Sequence, residues 1–99
     1  MDSKRFDELY SNAKFYAYIR GMLRKIYNHY KEIFQNNSID FEDLEQECWA
    51  SLYENVDNDK DNGYCSICMK NTAIDMLRSF NALIHEVEYD DEETEYDNW

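Results

Sequence analysis

Proline is absent from this chain of 99 residues, and glycine occurs only at Gly21 and Gly63. Tight turns draw heavily on these two residue types, and a proline inside a helix would break it. Their near-absence disfavours strand-and-turn architectures and favours long helices. The chain also has nine Tyr, five Phe and two Trp, and each buried ring removes about 150–250 Å² from water. We therefore predict one small all-α domain.

The apolar spacing predicts three helices, of which the first spans residues 3–34. Apolar residues recur there every three or four positions and so share one face. The residues predicted to face the core are Phe6, Leu9, Ala13, Tyr16, Ile19, Leu23, Ile26, Tyr30 and Ile33. Gly21 interrupts this run at a cost of about 1 kcal/mol relative to Ala, so we expect a bend or a close helix contact there.

The second helix is predicted to begin after Asp40 and to end near Val56. Asp40 is a candidate N-cap, and Asp43 stands three residues further on, where it can complete a capping box. The residues predicted to face inward are Phe41, Leu44, Cys48, Leu52 and Val56.

The third helix is predicted to run from near Gly63 to Phe80 or Ile84. Its core candidates are Ile67, Ile74, Leu77 and Phe80. A three-helix domain over residues 1–84 is therefore expected, followed by an acidic tail over residues 85–99. The charge density of that tail argues against a packed core, so we expect it to be flexible unless a partner orders it.

The net charge of −12 is unevenly distributed. Residues 41–62 hold one Lys against eight acids, and residues 81–99 hold eight acids and no Lys or Arg. Bulk attraction to nucleic acid is excluded, because that affinity comes from Lys and Arg neutralising phosphates. Any DNA contact must be local or must depend on a larger basic partner. The chain has no apolar run of about 18 residues and no signal peptide, so a cytoplasmic location is expected.

Four polar residues of the second helix stand at spacings that place them on one stripe, opposite the apolar face. These residues are Asp43, Gln46, Glu47 and Glu54. Spacing alone favours a solvated acidic face, because exposed charged helix faces are common. A binding surface for a basic partner is the alternative, because arginine side chains bind carboxylates in two-pronged hydrogen bonds.

Other patterns in the chain point to no metal, cofactor or catalytic centre. Residues 57–63 (DNDKDNG) begin like a calcium loop, but Asn62 and Cys68 occupy the positions that need Gly and Glu. Cys65 and Cys68 form a C-x-x-C motif without two further ligands at zinc-site spacing. We interpret Cys48 and Cys68 as buried apolar residues and Cys65 as a partly exposed thiol. No nucleophile–base set or phosphate loop is present, so a non-enzyme is expected.

Two segments, residues 40–49 (DFEDLEQECW) and residues 71–78 (NTAIDMLR), stand in the order and at about the separation of two family motifs. Together they resemble region 2 of the bacterial sigma-70 family, over roughly residues 9–90. The resemblance implies a helical domain that docks on RNA polymerase. In that family, the residues matching Asp43, Gln46 and Glu47 contact a basic coiled coil on the clamp of the largest polymerase subunit. Glu54 continues the same stripe.

The resemblance also implies that the third helix faces the melted minus-ten strand of promoter DNA. The candidate DNA-binding residues are Tyr64, Lys70, Asn71, Arg78 and Asn81. An aromatic ring can stack on a base, an amide can bond a base edge, and cations can hold phosphates. The alternative is structural, with Asn71 and Asp75 capping or bridging within the bundle.

The chain departs from the family pattern at two places. Residues 61–65 (DNGYC) replace a frequent Phe-Arg-x-Trp-Leu run, and residues 79–84 (SFNALI) replace a basic cluster. The second DNA-binding domain of a sigma factor is expected to be absent, so a second protein could supply it. A split sigma factor and a phage or mobile-element regulator both fit. The alternatives are an acidic inhibitor that occupies the sigma site or mimics DNA with its tail, and a structural helical module.

Overall fold

The computed structural model describes residues 1–80, which form five α-helices and no strand, so the all-α prediction is confirmed. The helices are α1 (Ser3–Ser11), α2 (Ala13–His29), α3 (Lys31–Asn36), α4 (Phe41–Asn55) and α5 (Asn62–Ser79). Helix α2 packs against each of the other four helices, and α4 packs against α5. The predicted acidic tail and Asn81 lie outside the described residues.

The long first helix was predicted as one element, and the structure divides it into three. Asn12 has an extended backbone, and its side-chain oxygen accepts a hydrogen bond from the Phe15 N–H at 3.0 Å, so Asn12 caps a new helix. The helix that begins after Asn12 has its own buried face, which does not continue the face of α1. Ala13 is therefore exposed and Phe15 is completely buried. A second break falls at Tyr30, which ends α2 and begins α3.

Gly21 causes neither the bend nor the close contact that was expected. It lies inside α2 with an exposed backbone, and an added Cβ would meet nothing within 4 Å. The breaks come instead from residues with non-helical backbone angles at Asn12 and Tyr30.

Helix α4 follows its prediction closely. Asp40 accepts a hydrogen bond from the Asp43 N–H at 2.8 Å, and the Asp43 side chain accepts one from the Asp40 N–H at 3.1 Å, which forms the capping box. All five residues predicted to face inward are buried.

Helix α5 buries a different set of residues from the one predicted. Ile74 and Leu77 are buried and Phe80 packs against the core, but Ile67 is 41% exposed. The buried residues of α5 are Cys65, Ser66, Met69, Ala73, Ile74 and Leu77. Cys65 is fully buried and Cys68 is only partly buried, which reverses the expected exposure of these two thiols. The buried positions define the face of α5 that meets the core, and position 67 lies outside that face, so Ile67 turns outward.

Helix α1 holds the loop that precedes α5. The Arg5 guanidinium donates hydrogen bonds to the Lys60 carbonyl at 2.8 Å and to Asn62 Oδ1 at 3.1 Å. Asp2 and Asn58 exchange two further hydrogen bonds, at 2.7 and 3.0 Å. The beginning of α5 is therefore fixed by residues more than fifty positions earlier in the chain.

Candidate functional site

The outer face of α4 carries all four residues predicted to bind polymerase. Asp43, Gln46, Glu47 and Glu54 are all exposed. The helix holds five acidic residues and no Lys or Arg, so its own charged side chains are all negative. Because Asp43 also completes the capping box, a substitution there would disturb the helix start as well as this face.

A groove of about 350 Å³ separates α4 from α5. It is lined by Glu47, Ser51, Thr72, Asp75, Met76 and Ser79. Beneath it, Thr72 Oγ1 donates a hydrogen bond to Ser51 Oγ at 2.9 Å, and Cys48 Sγ donates one to the Met69 carbonyl at 3.4 Å. These two bonds fix the spacing between the helices and so the position of the acidic face relative to α5. No sequence pattern predicted this groove, because its walls come from two different helices.

The outer face of α5 brings together three of the predicted DNA-binding residues. Tyr64, Asn71 and Arg78 stand seven positions apart, so they follow one line along the helix, and all three are exposed. Lys70 lies beside this line and is partly buried. Asn81 is beyond the described residues.

Two residues of this face, Arg78 and Tyr64, interact with charged side chains nearby. The Arg78 guanidinium lies 3.7 Å from the Asp75 carboxylate on the same helix. The Lys60 ammonium lies 5.0 Å from the centre of the Tyr64 ring, within the range of a cation–π interaction. Within residues 1–80, no hydrogen bond or ion pair joins Asn71 or Asp75 to another helix, and Asp75 pairs with Arg78 on its own helix.

An open pocket lies on the other side of α4, where α1 and α2 meet it. Its volume is about 270 Å³, and it is lined by Tyr10, Tyr16, Glu42, Glu45, Gln46 and Trp49. The Tyr10 and Trp49 rings meet edge to face at 4.9 Å, and Tyr16 stacks on Trp49 at 6.0 Å. The neighbouring Tyr16 is the main cause of a raised pKa at Tyr10, and burial and Glu45 add to it. No sequence motif predicted a role for these three rings.

The cysteines and acidic residues show no metal-binding arrangement in the described part of the chain. No three His, Cys, Asp or Glu side chains come together there at metal-ligand distance. Burial, with smaller contributions from Glu47 and Glu45, raises the pKa of the Cys48 thiol to about 12. Burial also raises the pKa of Cys65. Both thiols therefore behave as apolar core groups at neutral pH.

The chain belongs to the sigma-70 region 2 family, because the sequence profile of that family matches residues 15–82. The matched range covers nearly all of α2 and the whole of α3, α4 and α5, and it leaves α1 outside. Domains of this family are non-enzymatic parts of transcription factors that bind core RNA polymerase and promoter DNA. The chain accordingly has a sigma-factor-like role in transcription initiation.

Two further findings accompany the family match. No curated protein and no solved structure gives a significant match to the chain. Among residues 1–80, no helix has the length and apolar character needed to cross a bilayer.

Proposed function

We propose that this domain docks on core RNA polymerase through the outer face of α4 and takes part in promoter recognition at initiation. The partner surface is the basic coiled coil of the clamp on the largest subunit. The observation that carries this proposal is an exposed stripe of Asp43, Gln46, Glu47 and Glu54 on a helix without a single basic residue. Carboxylates and an amide at these spacings suit arginine-rich partners, because each guanidinium offers a fork of donors.

Promoter DNA contacts belong to the outer face of α5 in this proposal. Tyr64 would stack on an unpaired base, Asn71 would bond a base edge, and Arg78 and Lys70 would hold phosphates. With a net charge of −12, the free chain is expected to bind DNA weakly, so these contacts need polymerase to supply the basic surroundings. Asn81 would extend the same face.

The docking surface is tested with the double variant Gln46→Ala/Glu47→Lys. Losing a hydrogen-bonded interfacial charge costs about 2–5 kcal/mol, so binding to purified core polymerase should weaken by a factor of about thirty or more. Asp43 is left unchanged because of its role in the cap. The matched control is Gln35→Ala/Glu32→Lys on α3, which makes the same changes at exposed positions of another helix.

The measurement is equilibrium binding to core polymerase, with circular dichroism to show that both variants remain folded. The control should bind like the unaltered chain. A folded Gln46→Ala/Glu47→Lys variant that binds core polymerase with unchanged affinity would rule out this face of α4.

The competing proposal is an inhibitor that occupies the sigma site, and it is favoured by eight acids without a single Lys or Arg in residues 81–99. Run-off transcription with core polymerase, with and without a host sigma factor, separates the two. A specific transcript made without host sigma factor supports initiation by this chain. Repression of transcription that depends on host sigma factor, and its relief when residues 86–99 are deleted, supports the inhibitor. A split sigma factor would yield its transcript only after a second protein is added.

A further inference from the structure

The pocket formed by Tyr10, Tyr16 and Trp49 has the chemistry of a receptor for a cationic side chain. We propose that it receives an arginine side chain of the polymerase partner, immediately beside the acidic stripe of α4. This inference rests on the proposed docking function and adds to it a specific contact. It also gives α1, which lies outside the family match, a part in binding.

The size and walls of the pocket suit one planar cation. A volume of about 270 Å³ is below the usual range for a small-molecule ligand and sufficient for one long side chain. Tyr10 is 49% exposed and is the most exposed aromatic residue of the pocket, although Phe6 stacks on its ring and Tyr16 and Trp49 meet it edge to face. A guanidinium stacks on aromatic faces more readily than an ammonium does, and it is more weakly hydrated, so arginine is favoured over lysine.

The charges around the pocket favour the same ligand. Its polar lining consists of Glu42, Glu45 and Gln46, and no Lys or Arg lines it. Arg20 approaches Glu45 at 3.6 Å, and Glu45 is mostly buried by the surrounding residues. Within residues 1–80 the Glu42 carboxylate, by contrast, has no ion-pair or hydrogen-bond partner. It can therefore accept a two-pronged hydrogen bond from an incoming guanidinium.

Gln46 connects the pocket with the stripe. It lines the pocket, and its neighbour Glu47 lines the groove between α4 and α5. A basic helix that lies along α4 would thus reach the pocket with one side chain and the stripe with others. The pocket is acidic and adjoins the stripe that is proposed to bind polymerase. The arginine is therefore assigned to the polymerase partner.

The first experiment uses N-acetyl-arginine amide as the probe, with N-acetyl-citrulline amide as its neutral equivalent. Resonances of the Trp49 indole and the Tyr10 ring are followed by NMR in the full chain. The arginine amide should produce saturable shifts in both groups, and the citrulline amide should produce none. Glu42→Gln should weaken the arginine response, whereas Glu32→Gln, which makes the same change in the first turn of α3, should not. Equal responses to the two amides would overturn the inference.

The second experiment measures polymerase binding. Tyr10→Leu should weaken the affinity by a factor of about three to thirty, in keeping with the loss of a cation–π contact. Tyr53→Leu is the matched control, because Tyr53 is an exposed tyrosine that contacts Phe6 but does not line the pocket. Equal losses in both variants would overturn the inference.

The two experiments separate this inference from the docking proposal. If Tyr10→Leu binds polymerase normally while Gln46→Ala/Glu47→Lys does not, the docking face stands and the arginine contact is wrong. If the unaltered chain does not bind polymerase but still selects the arginine amide, the docking proposal is wrong and the pocket's preference for arginine stands.

Discussion

The guanidinium carbon of Arg24 lies 3.6 Å from the centre of the Phe41 ring. Arg24 belongs to α2, and Phe41 is the first residue of α4. Arg20, one turn earlier in α2, lies 5.4 Å from the same ring and reaches Glu45 at 3.6 Å. Two cations from the central helix therefore fix the start of α4 and, with it, the direction of its acidic face.

We expect Arg24→Ala to lower the free energy of unfolding by about 1–2 kcal/mol, because a close cation–π contact and its packing are lost. Urea denaturation followed by circular dichroism measures this change. Lys25→Ala is the control, since Lys25 is exposed on the same helix, and it should change stability by no more than about 0.5 kcal/mol. Equal effects of the two substitutions would mean that the Arg24–Phe41 contact contributes nothing specific.

The ion pair between Asp75 and Arg78 leads to a prediction about DNA. Both side chains are exposed, so Asp75→Asn should change the stability of the domain by less than about 0.5 kcal/mol. If α5 faces promoter DNA, the substitution should strengthen DNA binding by the polymerase complex, because it removes a negative charge and releases Arg78. Arg78→Ala should weaken that binding and flatten its salt dependence by about one unit of slope.

Fluorescence anisotropy of a labelled promoter fragment over a range of salt concentrations measures both effects. Asp7→Asn makes the same change of charge at an exposed position of α1 and should leave DNA binding unaltered. If Asp75→Asn and Asp7→Asn strengthen DNA binding equally, the gain comes from the lower net negative charge. The prediction that α5 contacts DNA would then have no support.

Cys48 leads to a prediction about alkaline pH. Its pKa is raised from 9.0 to about 12 in the folded chain, chiefly by burial. Below pH 9 the thiol is protonated in both the folded and the unfolded chain, so the contribution of Cys48 to the free energy of unfolding is fully present. As the pH rises from 9 towards 12, the unfolded chain releases this proton first, and the contribution is lost at up to about 1.4 kcal/mol per pH unit.

The free energy of unfolding should therefore decrease less steeply between pH 9 and 11 in Cys48→Ala than in the unaltered chain. Urea titrations at several pH values give the slope of the free energy of unfolding against pH. This slope can be compared between the proteins even though the smaller alanine side chain also lowers the free energy itself. Cys68→Ala, at a partly buried position, is the control and should keep the steeper slope. The same slope in all three proteins would show that Cys48 ionises equally in the folded and unfolded states.

Helix α4 shows what local sequence is able to determine. Its capping box joins residues three positions apart, and its apolar face repeats within a single helix, so its start, end and buried side could be read directly. The Asn12 cap is equally local. It was not predicted, because the spacing of three and four between apolar residues continues from α1 into α2. The family motifs likewise occupy continuous stretches of α4 and α5, and they identified the family before any geometry was known.

Tertiary structure decided which side chains meet. Cys65 is buried and Ile67 is exposed because position 65 lies on the face of α5 that meets α2 and α4, and position 67 does not, although isoleucine is the more apolar residue. The pocket joins Tyr10 of α1 to Trp49 of α4, and the groove joins Glu47 to Asp75. A helix is encoded by hydrogen bonds and side-chain contacts within four residues, so sequence alone predicts it. The contact between two helix faces depends on how every helix fills the shared core, so only the folded chain determines it.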